Sequence, residues 1–372
     1  MKKRILVCVG TRADAIKSCP LYLALKERDD CEALLLNCGQ HAEMTDGVLA
    51  YFGVSADYSL SVMERGREPD ATAEAVRERV LALLGEISPD LVAVQGDTAS
   101  SLGCAEAGAA AGIPVAHIEA GLRTRDETDP WPEEGYRVRI SALASLHFAP
   151  TEKAKENLLA EGVEEDRIFV AGNTVTDALL RECEHPAEPC ETVRPLDYSR
   201  GVALLTCHRR ENLTERDGRI GAMEIFSAVR RLLDSYPDLT VVFPIHKNER
   251  VRELWSREGF SSDRLLLCEP LDYPSLVYLL SRAAFVLSDS GGIVEEAACL
   301  GTPTVIARDR TERPEAVERG TAVLAGRDRE RIYTLCADII KNTPPADARG
   351  FSPSVFGDGH VSERIADILI EI

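Results

Sequence analysis

Ile5-Leu6-Val7-Cys8-Val9-Gly10-Thr11-Arg12-Ala13-Asp14-Ala15-Ile16-Lys17 is the stretch that decides the fold. Five consecutive apolar residues run into a glycine, and a helical pattern follows over residues 15–26. A short unbroken apolar run reads as a strand buried on both faces, and a strand feeding a helix is the first half of a βαβ unit. The basic start Met1-Lys2-Lys3-Arg4 imitates a secretory leader. The apolar run after it is too short for one, and it ends in Gly-Thr-Arg rather than at a small-residue cleavage site.

Outward from this stretch the pattern repeats. Residues 33–36, 91–94 and 115–118 are further short apolar runs, separated by helical stretches such as 71–84 and 101–111. Strands alternating with helices imply right-handed crossovers and a parallel sheet. The pattern breaks over residues 182–199, which carry Pro186, Pro189 and Pro195, and resumes at 202–206, 240–243, 264–267, 285–287 and 304–306. The expected architecture is α/β, with two doubly wound Rossmann-like domains facing a cleft. Residues 1–181 form the first domain, 182–199 a linker and 200–358 the second domain. A last helix, within 359–372, packs back on the first domain. A chain of 372 residues is long enough for two such cores.

Composition narrows the function. The net charge of −19, from 43 basic and 62 acidic residues, argues against nucleic acid or an anionic membrane as partner. Without a run of eighteen apolar residues, a membrane-spanning helix is not expected. The eleven cysteines are scattered singly with no C-x-x-C, which fits reduced thiols in the cytoplasm rather than a disulfide framework or a metal site. His117-Ile118-Glu119 imitates the start of a zinc deaminase signature, but no downstream P-C-x-x-C follows. No metal is therefore expected.

In open parallel sheets, ligands bind beyond the carboxyl ends of the strands, where helix N-termini point. Five clusters occupy such places. The first, Gly10 to Lys17, offers a turn with Arg12 and Lys17, an anion site in type. In the second, Gln95-Gly96-Asp97-Thr98, Asp97 is either functional or a helix cap. The third is His117-Ile118-Glu119-Ala120-Gly121-Leu122-Arg123. Its Glu119 is a carboxylate at the end of a buried strand, an expensive place unless it is paired, with Arg123 as one partner, or functional. The fourth, Pro130-Trp131-Pro132-Glu133-Glu134, opens a helix bearing Arg137 and Arg139. In the second half, His208-Arg209-Arg210-Glu211 and Asp289-Ser290-Gly291-Gly292-Ile293-Val294-Glu295-Glu296 both follow strands. Ser290, Gly291 and Gly292 would offer donors to a diphosphate, and Glu296 would accept from ribose hydroxyls.

These blocks, with residues 172–178, 244–248 and 311–317, resemble in order and spacing those of the non-hydrolysing UDP-N-acetylglucosamine 2-epimerases over nearly the whole chain. The resemblance implies a GT-B-like fold, a homodimer, an isomerase needing no cofactor, and a UDP-sugar as ligand in a polysaccharide pathway. By residue match it puts Arg12, Lys17, Asp97, Glu119, Glu133 and His208 at positions for catalysis and substrate binding. Ser290, Gly291, Gly292, Glu296 and Arg313 fall at the UDP-binding positions. Gln40, His41, Arg67, Arg209 and His246 fall where a second, activating substrate molecule would bind. There are departures. Ala13-Asp14 replaces Pro-Glu, Cys207 replaces Gly before His208, and Ala42 replaces Arg in Gln40-His41-Ala42-Glu43-Met44. The lost Arg bears on allosteric activation more than on chemistry. Leu271 and Leu276 stand for Gln and Phe at the uracil pocket, so base contacts are expected to differ.

The implied chemistry is elimination of UDP, a 2-acetamidoglucal intermediate and re-addition, interconverting UDP-N-acetylglucosamine and UDP-N-acetylmannosamine. Asp97 and Glu133 serve the two faces of C2, and Glu119 stabilises the cation or tunes them. The rivals are a UDP-2,3-diacetamido-hexuronate 2-epimerase, a hydrolysing epimerase, a GT-B glycosyltransferase and a non-enzymatic sugar-nucleotide sensor.

Overall fold

Seven strands of the first half build one parallel sheet: β1 (Lys3–Val9), β2 (Cys31–Asn37), β3 (Tyr58–Ser59), β4 (Leu91–Gln95), β5 (Val115–Ile118), β6 (Leu146–Ala149) and β7 (Ile168–Val170). Their order is β3-β2-β1-β4-β5-β6-β7. The computed structural model describes residues 2–40, 42–62, 67–258, 260–342 and 348–372. β1 is central, paired in parallel with β2 on one side and β4 on the other, so its apolar run is buried from Ile5 to Val9. The strand order reverses between β1 and β4. That reversal leaves a crevice at their carboxyl ends, the topological switch point of a doubly wound sheet.

The second half repeats the plan. After β8 (Val202–Thr206) comes a small antiparallel hairpin, β9 (Glu215–Arg216) and β10 (Arg219–Ile220). β11 (Thr240–Pro244), β12 (Leu265–Cys268), β13 (Phe285–Ser288), β14 (Thr304–Ile306) and β15 (Ala322–Leu324) complete a parallel sheet ordered β12-β11-β8-β13-β14-β15. Its switch point lies between β8 and β13. One face is covered by Gly221–Ser235 and Arg329–Asn342, whose Ile225, Phe226, Val229, Leu232, Ile332 and Cys336 pack on Leu205, Val241 and Phe243.

The chain divides into two compact units, Met1–Ala178 with Val355–Ile372, and Leu179–Ser354. The stretch 182–199, expected to be a linker, is packed within the second unit. Val193 is fully buried, the Cys190 N–H donates to Ser275 Oγ at 2.8 Å, and Tyr198 packs edge-on against Tyr278. Proline removes helical periodicity there without removing contacts. The final helix, Val361–Glu371, belongs to the first unit, where Asp177 accepts the N–H groups of Val361 and Ser362 at 3.1 and 2.6 Å and Arg28 pairs with Asp367 at 2.6 Å. No helix among the described residues is long and apolar enough to cross a membrane.

Local chemistry explains the entry to the first helix, Arg12–Lys26. Thr11 caps it by accepting from the Asp14 N–H at 3.2 Å, and Asp14 reaches back to the Thr11 N–H at 3.1 Å, a reciprocal capping box. Gly10 is required by close approach rather than by a left-handed turn, because a Cβ there would lie 2.0 Å from Ser100 Oγ.

Two histidines face each other in the β5–β6 register, His117 and His147, both buried. Burial lowers the pKa of His117 to about 3, against a hydrogen bond to the Gly96 carbonyl at 2.8 Å, and lowers that of His147 to about 4. Between pH 3 and 6.5 the unfolded chain thus binds the proton that folded His117 refuses, so this histidine costs stability increasingly as pH falls. Asp14 runs the other way. Burial raises its pKa to about 7, so its contribution to stability fades as pH rises toward neutrality. His117→Gln should therefore flatten the acid side of the stability curve, by up to about 1.4 kcal/mol per pH unit below pH 6. Denaturant unfolding of both chains from pH 6.5 to 4.5 measures this, and parallel curves would rule it out.

Candidate functional site

Each sheet gathers polar groups at the carboxyl ends of its switch-point strands. In the first unit the centre is Glu119, which follows β5 in a left-handed backbone conformation (φ 67°) and is 5% exposed. Its Oε2 accepts from Lys17 Nζ, from Gln95 Nε2 at 2.9 Å and from Asn173 Nδ2 at 2.9 Å. One carboxylate therefore joins the first helix, the end of β4 and the loop after β7. The expected alternative partner, Arg123, is elsewhere. It pairs with Glu161 at 2.7 Å and donates to Ser141, a structural role.

Asp97 is not a helix cap. The helix Ala99–Ala110 is capped by Thr98, whose Oγ1 accepts from the Ser101 N–H. Asp97 instead pairs at 2.5 Å with Arg137, a buried guanidinium that also reaches Glu134 at 3.0 Å. Arg137 lies one turn into the helix Glu133–Leu143, which begins at Glu133. Glu134 holds the preceding loop by accepting the Thr124 and Arg125 N–H groups at 3.0 and 2.8 Å. Asp97 and Glu133 are thus tied to one helix start. Gly96 brings the Asp97 loop up to Glu119, whose Oε1 lies 3.9 Å from where a Gly96 Cβ would stand. Arg12 opens the helix that carries Lys17.

In the second unit the centre is Asp289, 1% exposed, after β13. It accepts the His208 N–H at 2.9 Å, the Arg209 N–H at 3.0 Å and Asn212 Nδ2 at 3.1 Å, and His208 Nδ1 lies 3.2 Å from its Oδ1. Burial works to raise its pKa. The nearby His208 and the donated hydrogen bonds outweigh burial, and Asp289 titrates below the ordinary carboxylate range. Thr206 and Ser288 hydroxyls meet at 2.7 Å across the same strand ends, and Ser288 Oγ accepts the Ser290 N–H.

Ser290 is the N-cap residue of the helix Gly291–Leu300, and Glu296 lies within that helix, buried. Behind its start runs a buried chain of charges. Arg313 donates to Glu295 at 2.6 Å and Glu312 at 2.7 Å, Arg308 to Glu312 at 2.7 Å, and Arg308 lies 3.2 Å from Glu211. Gly291 is pressed against this network, since a Cβ there would stand 2.2 Å from Arg313 Nη1, whereas nothing lies within 4 Å of a Cβ on Gly292.

The residues expected to bind an activating ligand fall in both units. Gln40 accepts from the Ser100 N–H and hydroxyl at 3.1 and 2.8 Å, and Arg67 donates to the Val62 carbonyl at 2.8 Å. Arg209 lies 3.7 Å from Glu312, and His246 stacks on His208 with ring centres 5.3 Å apart. His41 lies outside the described residues.

Residues 23–370 match the family model described as UDP-N-acetylglucosamine 2-epimerase. The chain belongs to the UDP-N-acetylglucosamine 2-epimerase family. It is 40% identical to the UDP-N-acetylglucosamine 2-epimerase of Bacillus subtilis (strain 168), over 100% of this chain and 96% of that protein. The crystal structure of the UDP-GlcNAc 2-epimerase from Neisseria meningitidis bound to UDP-GlcNAc superposes with a TM-score of 0.91 at 35% identity, covering 99% of this chain and 100% of that one. A glycotransferase of kitacinnamycin shares the fold alone, with a TM-score of 0.60 at 13% identity over 100% of this chain and 99% of that one. The two Rossmann-like sheets of this epimerase-family chain are thus of GT-B type.

Sequence reasoning did not single out Arg137, Asn173 or Asp289 as site residues. Asn173 and Asp289 carry the same signal as those it did, a polar residue just past a parallel strand. Arg137 sits mid-helix, and only the three-dimensional pairing with Asp97 marks it.

The crowding at Gly291 yields a stability test within this family member. Gly291→Ala forces a methyl into the Arg313 guanidinium and should destabilise by about 1–3 kcal/mol, as overpacking does. Gly292→Ala should leave the melting temperature close to wild type. Equal thermal unfolding of the two variants by calorimetry would refute the crowding.

Proposed function

We propose that this chain interconverts UDP-N-acetylglucosamine and UDP-N-acetylmannosamine without hydrolysis, as a cytoplasmic homodimer. The observation that carries the reading is Asp97. It is relieved of capping, paired with buried Arg137, and tied to the helix that Glu133 begins. A sugar-nucleotide sensor or a glycosyltransferase that leaves C2 intact has no use for carboxylates held in this way.

The C2–H of an N-acetylhexosamine is not acidic, so the C1–O bond to UDP breaks first. Positive charge and N–H donors then favour the departing diphosphate; Arg12, Lys17, His208, Arg313 and the Ser290-Gly291-Gly292 helix start supply them. Glu296 accepts from the ribose hydroxyls. The sugar ring becomes oxocarbenium-like, and a carboxylate such as Glu119 stabilises it, as in glycosidases. Loss of the C2 proton to one carboxylate gives 2-acetamidoglucal. UDP adds back at C1 while a second carboxylate protonates C2 from the opposite face. Asp97 and Glu133 are assigned to the two faces. The pairing of Asp97 with Arg137 suits the member that starts ionised and accepts the proton.

In deuterated water, UDP-N-acetylglucosamine should give UDP-N-acetylmannosamine with deuterium at C2, with no nicotinamide or metal added; NMR reads this directly. Free N-acetylmannosamine as the main product would put the hydrolysing reaction in its place. Asp97→Asn and Glu133→Gln keep shape but not proton exchange. They should lower turnover by about 10²–10⁴-fold with UDP affinity nearly unchanged. A fully active Asp97→Asn chain would remove Asp97 from the mechanism. Gly292→Asp puts a carboxylate at the uncrowded helix start and should sharply weaken UDP binding by calorimetry, while unchanged affinity would place the diphosphate elsewhere.

A further inference from the structure

His208 and His246 stack with their rings 21° from parallel, yet their environments give them opposite tautomers. His208 Nδ1 stands 3.2 Å from Asp289 Oδ1. An ionised carboxylate can only accept, so the contact is a hydrogen bond only if Nδ1 carries the proton. The nearby His208 ring and three further donors, the Asn212 amide and the N–H groups of Arg209 and His208, outweigh burial and keep that carboxylate ionised. The Asn212 amide also donates to the Ala307 carbonyl at 3.0 Å, which fixes the amide's orientation. At His246 the logic inverts. Its Nδ1 lies 3.1 Å from the Asn248 N–H, a group that can only donate, so Nδ1 is the acceptor and the neutral ring carries its proton on Nε2.

We propose that Asp289 is a positioning residue that holds His208 as the Nδ1–H tautomer, so that all proton exchange at this histidine is confined to Nε2. The inference rests on the epimerase reading above and deepens it. A leaving group that departs and returns needs a donor that can be recharged in place. With Nδ1–H fixed, Nε2 alternates between N–H donor and lone-pair acceptor without the ring turning over. Asp289 does this from the strand end beside the Ser290 helix start, so one carboxylate sets the ring, the 208–209 backbone and the tautomer together. His246, stacked on the same ring but held in the other tautomer, cannot substitute for it.

The test is ¹⁵N NMR of the histidine side chains in the full chain, with His208→Gln and His246→Gln used to assign the two rings. In the wild-type chain, His208 should be protonated at Nδ1 and neutral His246 at Nε2. Wild-type His208 protonated at Nε2 alone would overturn the proposal, whatever the variants do. Asp289→Asn replaces an acceptor by an amide that can donate to Nδ1. His208 should then change to the Nε2–H form while His246 keeps its own. Turnover should fall by about 10²-fold or more, the loss expected when a general acid–base group is held in the wrong form. Asp289→Glu, which keeps the charge, should restore the Nδ1–H signal and part of the turnover. A folded Asp289→Asn chain with unchanged tautomer, or with the tautomer changed and turnover intact, would sink the idea. The wild-type tautomer is read without substrate, whereas wild-type turnover tests the epimerase reading. The two can therefore fail separately.

Discussion

A parallel sheet sends all its strands out on one side, and the helices that follow begin there with unsatisfied N–H groups. A carboxylate buried at that edge is costly unless donors surround it. In each unit one acid meets this constraint, and the local structure is organised around it. Glu119 collects Lys17 from the first helix, Gln95 from the end of β4 and Asn173 from the loop after β7. Asp289 collects two N–H groups, an amide and an imidazole from the end of the neighbouring strand. Glu119 also holds a left-handed backbone conformation, a cost of order 1–3 kcal/mol that persists only where surroundings over-determine it. The Ala120 N–H to the Phe148 carbonyl at 3.0 Å and the Gly96 N–H to the Ile118 carbonyl at 2.9 Å supply that constraint from both flanks.

The second unit takes the same solution further from the surface. Arg308 is 1% exposed and faces Glu211 and Glu312, while Glu312 also receives Arg313. Such a chain of buried charges is no proof of stability, since apolar groups of equal volume often serve as well. Its value is positional. Removing an arginine from the set strips a buried carboxylate of a pairing, a loss that costs about 3–5 kcal/mol where the charge is left uncompensated, so the arginines hold the set in place. Arg313 is thereby fixed against Gly291, and the helix start that would meet a diphosphate is fixed with it.

Much of this plan was legible in the sequence, and the parts that were not share a cause. Short, mainly apolar runs such as Val115–Ile118 and Val202–Thr206 are strands to the residue. β6 (Leu146–Ala149) was not read as a strand, although all four of its residues are buried and β5, which was read, carries a histidine at the facing position. β3, two residues long, is below any period. The rule that ligands sit past strand ends found Asp97, Glu119, His208 and Ser290. It could not choose partners, because Lys17 and Glu119 are 102 residues apart and Asp97 and Arg137 meet only through packing of the intervening elements. Spacing along the chain suggested Arg123 for Glu119, and that arginine turned to Glu161.

Three of the basic residues expected to meet a diphosphate are held by carboxylates even in the chain alone: Lys17 by Glu119, His208 by Asp289, and Arg313 by Glu295 and Glu312. An arriving anion must share these partners rather than find bare positive charge. Sharing is cheapest where the carboxylate keeps other donors. If Lys17 turns toward a ligand, Glu119 retains the Gln95 and Asn173 amides and is not left as an unsatisfied buried charge. If His208 Nε2 engages an oxygen, the Asp289 contacts at Nδ1 and the backbone are untouched. Two neutral amides thus lower the cost of exchanging partners at the centre of the first unit.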